Sequence, residues 1–125
     1  MGNTEATARS WVEALASRAE LPFARELERH FSRARVTHLC NCGCHSFECR
    51  VGSSDGLDCL FAKVGELSSF EAAFASSAGE PVDVVFYADE HGLLSGIDVH
   101  LGLSNHAPMP DNAVLGELLY TIPGI

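Results

Sequence analysis

From Thr4 to Glu20 apolar residues recur three and four positions apart, at Trp11, Val12, Leu15, Ala16 and Ala19. That period predicts a helix with one apolar stripe. Asn3 or Thr4 can cap it, and Glu5 suits the positive end of the helix dipole. Leu21-Pro22 breaks the pattern, and proline is well placed in the first turn of a second helix, Phe23 to about Arg33. Phe23, Leu27, Phe31 and Ala34 supply its buried stripe. Arg25, Glu26, Glu28, Arg29 and Arg33 supply a solvated face.

The period then drops to two. Arg35 to Leu39 leads into Cys40-Asn41-Cys42-Gly43-Cys44-His45, and Phe47, Cys49 and Val51 lead out on alternate positions. This predicts a β-hairpin with a tight tip at Asn41 to His45, where Gly43 takes a positive φ. Leu57 to Val64 is a short apolar segment that fits a strand or one helical turn. Within it Cys59, flanked by Leu60 and Phe61, reads as a small buried hydrophobe. Leu67 to Ser76 carries a capping box at Ser68 and Glu71 but alternates at Phe70, Ala72 and Phe74. The turn residues Ser77 to Glu80 and the strand beyond them favour strand. Pro81 to Ala88 is apolar on both faces and reads as a central strand. Leu93 to Leu103 turns Ile97, Val99, Leu101 and Leu103 to the core and Gly96, Asp98, His100 and Gly102 the other way. After a loop from Ser104, Asp111 or Asn112 caps a short helix through Leu119. The whole is a single α+β domain over residues 1–125. Two N-terminal helices pack on an antiparallel sheet of about five strands in near-neighbour order, followed by a short C-terminal helix. The second sheet face stays partly exposed and carries Glu48, Arg50, Asp98 and His100.

Charge changes the picture. Residues 1–50 hold all seven arginines and six acids, a net of +1, and residues 51–125 hold Lys63 and eleven acids, a net of −10, which together make the chain's −9. So acidic a second half repels phosphates, which argues against nucleic acid as a partner, and attracts a basic protein. No run of apolar residues is long enough to span a membrane, and Met1 to Ser10 lacks the apolar core of a secretory signal, so the expected compartment is the cytoplasm. There, five cysteines would stay reduced.

Four of those cysteines crowd the hairpin. Cys40, Cys42, Cys44 and Cys49 offer the ligand types of a zinc site, with Cys40 and Cys49 expected opposite each other on the two strands. The C-x-C-x-C spacing is not that of a zinc knuckle, because alternate residues of a strand lie about 7 Å apart. Cys42 and Cys44 beside His45 also allow a strained redox dithiol, and the small residues equally suit packing alone. Asp98 and His100 share a strand face and have the chemistry of a base with its orienting acid, but no nucleophile elbow, metalloprotease motif or phosphate loop accompanies them. The expectation is a chain without a cofactor, with zinc as the alternative.

Pro22-Phe23-Ala24-Arg25-Glu26-Leu27, Ala34-Arg35-Val36-Thr37 and Cys40-Asn41-Cys42-Gly43-Cys44 resemble a group of small uncharacterised bacterial proteins with a C-x-C-G-C hairpin. Val84 to Tyr87 and Gly92 to Val99 are similar to their later strand–turn–strand. His45 stands where those proteins are expected to carry proline. Proteins of this layout are similar to immunity proteins of bacterial polymorphic toxin systems. The resemblance implies a non-catalytic inhibitor of a cognate secreted toxin and supplies no catalytic residue. With the charge division, it directs attention to Asp83, Asp89, Glu90, Asp98 and His100 as the contact.

Overall fold

A computed structural model describes residues 3–41, 43–102, 108–110 and 113–124. Two helices, α1 (Glu5–Ala16) and α2 (Ala24–Ser32), precede six strands: β1 (Ala34–Leu39), β2 (Phe47–Val51), β3 (Ser69–Ser76), β4 (Val82–Ala88), β5 (Leu94–Leu101) and β6 (Leu115–Pro123). The class is the expected α+β. Thr4 is the cap of α1, its Oγ1 accepting from the Thr7 N–H at 3.1 Å. Ala8, Trp11, Val12 and Leu15 form the buried stripe. In α2 Leu27 and Phe31 face inward, and so do His30 and Glu26. Glu26 therefore leaves the solvated face to which its charge had assigned it. It sits where the helix stripe continues, and Lys63 reaches it at 3.3 Å.

The strands form one antiparallel sheet in the order β1-β2-β5-β4-β3-β6. Two expectations are corrected. Strand order is not near-neighbour throughout, because β2 pairs with β5 and β3 with β6. The stretch expected as a C-terminal helix is β6. Its leucines at 115, 118 and 119 and Ile122 fall at helical spacing, but Tyr120-Thr121-Ile122 is a strand-forming run. Without β6, β3 would be an unpaired edge. Gly116 permits the approach: an added Cβ would lie 3.3 Å from the Ala75 carbonyl oxygen. The proposed cap residues Asp111 and Asn112, and Leu103, which was expected to face the core, lie outside the described residues.

The core fills the space between helices and sheet. Phe23 is its centre, packing edge-on against Phe61, Phe70 and Phe86 at centroid distances of 4.9 to 5.0 Å. Trp11, Leu15, Phe31, Phe86, Ile97 and Val99 all belong to the same cluster. The segment 57–67 is a run of turns, not a strand. It buries Leu60 and Phe61 and leaves Cys59 exposed, against expectation, because the turn closed by the Ala62 N–H and the Cys59 carbonyl splays successive side chains. His30 fastens this segment. Its Nδ1 accepts from the Leu94 N–H at 3.1 Å, so the ring proton sits on Nε2 and goes to the Asp58 carbonyl at 2.7 Å.

Candidate functional site

The thiol hairpin forms as expected, with Gly43 at φ 103°. Its tip is tied to the molecule on three sides. Asn3 Nδ2 donates to the Cys40 and Ser46 carbonyls at 3.2 and 2.6 Å. Trp11 Nε1 donates to His45 Nδ1 at 2.8 Å, and the Met109 N–H donates to the Gly43 carbonyl at 2.9 Å. The His45 N–H donates to the Val99 carbonyl, and the Val99 N–H to Ser46 Oγ, so the tip continues the β2–β5 seam. Cys44 is buried, its thiol donating to Ser46 Oγ at 3.3 Å. It is a packed residue and not an exposed tip position.

Cys49 departs further from the zinc alternative. It stands opposite Val36 instead of Cys40, in the register set by Ala34 opposite Val51 and Arg35 opposite Arg50. Its side chain enters the core, where burial, then the charge of Asp89, pushes the thiol up to about 12. Cys42 lies outside the described residues. Among the described residues no three His, Cys, Asp or Glu side chains are grouped to hold a metal ion. A cleft of about 710 Å³ opens beside the tip, lined by Asn3, Cys40, Cys44, His45, Pro108 and Met109 among others.

The other concentration of polar chemistry lies on the sheet face turned away from the helices. Asp83 of β4 stands opposite His100 of β5, and Asp98 stands opposite Val85. Register with β3 and β6 places Glu71 and Tyr120 on the same face: Ala73 is opposite both Asp83 and Tyr120, and Glu71 is opposite both Val85 and Ile122. Burial, then the Glu71 carboxyl as hydrogen-bond partner and as like charge, raises Asp83 to about 7, with Asp98 adding repulsion. The Tyr87 hydroxyl donates to Asp98 Oδ2 at 2.9 Å. Burial and this bond raise Tyr87 to about 12. Tyr120 is shifted up in the same direction by desolvation, Asp83 and Glu71.

Of the five acidic-contact candidates, Asp83, Asp98 and His100 are thus brought together. Asp89 and Glu90 are not part of that group. They sit in the β4–β5 turn, beside Cys59, Phe61 and Leu67. Asp89 Oδ1 accepts from the His91 and Leu93 N–H groups at 2.8 and 3.0 Å, so it shapes the turn. Glu90 is exposed and 3.8 Å from His91. Glu71, Tyr87 and Tyr120 were missed as site residues. The alternation of β3 and β4 held the signal for the first two, and Tyr120 was hidden by the helical reading of its segment.

Comparison with protein-family models, curated proteins and solved structures finds no match to this chain. Among the described residues no helix is long and apolar enough to cross a membrane.

Proposed function

We propose that this chain is a non-catalytic module that binds a basic protein through the open face of its sheet. Following the resemblance in its sequence, the partner is a cognate toxin whose active site it covers. One observation carries the reading: exposed Tyr87, Tyr120 and Ile122 share the helix-free face with Glu71, Asp83 and Asp98. Aromatic anchors give an interface contact area at low entropic cost, and carboxylates select the sign of the partner. A toxin acting on nucleic acid or nucleotides needs a positive cleft, which such a face complements. The alternative of a metal or thiol-redox centre has less support, since Cys49 points into the core and Cys44 is packed against Ser46.

The test is co-expression with the product of the neighbouring gene. Wild type should rescue growth and co-purify with that protein. The double variant Asp83→Lys/Asp98→Lys should lose both while keeping the native circular dichroism spectrum. Rescue by the double variant as strong as by wild type would overturn the open face as the binding surface.

A further inference from the structure

The open face has a gap in its row of side chains. Gly96 of β5 stands opposite Glu48 of β2 on one side and Tyr87 of β4 on the other. A Cβ at Gly96 would lie 2.9 Å from the Phe47 carbonyl oxygen, so the close approach of β2 keeps the position bare. With neighbouring strands about 4.8 Å apart, Glu48 and Tyr87 flank the gap across roughly 10 Å. Asp98, two residues along β5, borders the gap, steadied by the Tyr87 hydroxyl. These residues, with Ser68, Ala88 and Ser95, line a depression of about 420 Å³. A second depression of about 220 Å³, reaching His38, Cys44 and His100, begins beyond the same Glu48 and Asp98.

We propose that the depression over Gly96 receives one arginine side chain of the basic partner. The proposal rests on the docking role argued above and adds the residue type that anchors it. Two carboxylates border the depression, and a phenol ring stands beside them. A guanidinium is planar, stacks on aromatic faces and meets carboxylates through a fork of donors. A lysine ammonium is a compact, strongly hydrated charge that gains little from the ring. Cations of this chain stand nearby on β1 and β2. Arg50 lies two residues beyond Glu48, and His38 is opposite Glu48. Neither His38 nor Arg50 lines the depression over Gly96.

The probe is N-acetyl-arginine methylamide, titrated into the ¹⁵N-labelled protein at constant ionic strength, with the lysine counterpart as control. Saturable amide shifts are expected at Gly96, Tyr87 and Asp98, with the lysine probe several-fold weaker. Tyr87→Leu and Asp98→Asn should each weaken the arginine response several-fold, with Trp11 fluorescence reporting that the fold is kept. No shift at these amides, or equal response to lysine, overturns the arginine anchor. If the anchor fails while Asp83→Lys/Asp98→Lys still loses its protein partner, the docking role stands without it. If arginine binds while that double variant keeps its partner, the docking role fails, and with it the claim that the arginine belongs to a partner.

Discussion

Asp83 lies half-buried on the open face, hydrogen-bonded to one carboxyl and close to another. In an unfolded chain it ionises near 3.8, and in the folded protein near 7. Between those values the folded state holds a proton that the unfolded state has released. Folding is therefore favoured by this group at low pH, and that contribution is lost as pH rises through about 7. Because the group is only partly buried, solvent screening reduces the effect to the order of 1 kcal/mol. Asp83→Asn should accordingly raise the melting temperature at pH 8 and leave it nearly unchanged at pH 4. Thermal melts at the two pH values check this, and an equal shift at both would show that Asp83 is not strained by its charge. Such strain is what a docked cation would relieve. The same logic separates Asp83 from Asp89, whose carboxylate accepts two backbone N–H groups and serves the turn.

At the scale of elements, the layer contact between α2 and the inner face of the sheet holds the site in place. Phe86 and Ile97 stand opposite each other on β4 and β5 and are fully buried. Truncating either to alanine should cost roughly 2–5 kcal/mol, from lost transfer energy and the cavity left behind. Denaturant melts measure it, and a loss below about 1 kcal/mol would mean that the strands carry the opposite face inward. The alternation of β5 makes its register legible in the amino-acid sequence alone, whereas β4, apolar on both faces, is fixed by its pairing with β5. The β5 alternation also places Asp98 and His100 on the far face. The hairpin is legible from its period and from Gly43. Less can be read where two periods overlap. Residues 115–122 satisfy a helical stripe as well as a strand, and only the need of β3 for a second partner decides between them. The pairing of β2 with β5 is non-local, and its trace, the bare Gly96, does not name the partner strand. Cys44, Cys49 and Cys59 show the same limit. Composition groups them, but Cys44 packs against Ser46, Cys49 enters the core opposite Val36, and the turns of 57–67 leave Cys59 exposed.

At the scale of the whole molecule, the charge division along the chain persists in part: Arg35 and Arg50 pair at the β1–β2 end of the sheet, away from Glu71 and Asp83 on β3 and β4. Three further arginines are engaged with carbonyls and rings. Arg18 donates to the Gly116 carbonyl and lies 5.0 Å from the Phe74 ring centroid, Arg29 donates to Gly56, and Arg33 to Ser53 and Asp55. Glu20 and Glu26 stand beside Arg18 and Lys63, whereas Asp83 has the carboxyls of Glu71 and Asp98 as its charged neighbours. The part of the open face around Glu71, Asp83 and Asp98 thus keeps its negative field, and that field would act on a basic partner before contact. Its reach is limited by a screening length of about 10 Å at 0.1 M salt. Association with the proposed basic partner should therefore slow steeply as ionic strength rises, while dissociation changes little. Docking a cation against the Glu71–Asp83 pair requires the ionised form. The affinity should therefore also increase as pH rises through about 7, the value to which burial and Glu71 bring Asp83. The two dependences are separable in Asp83→Asn, which should keep most of the salt effect through Glu71 and Asp98 and lose the pH effect. Stopped-flow association rates over a salt series, with equilibrium titrations at pH 6 and pH 8, provide the measurement. Association rates flat in salt would remove the acidic face from recognition, and a pH dependence unchanged in Asp83→Asn would assign the titration to another group.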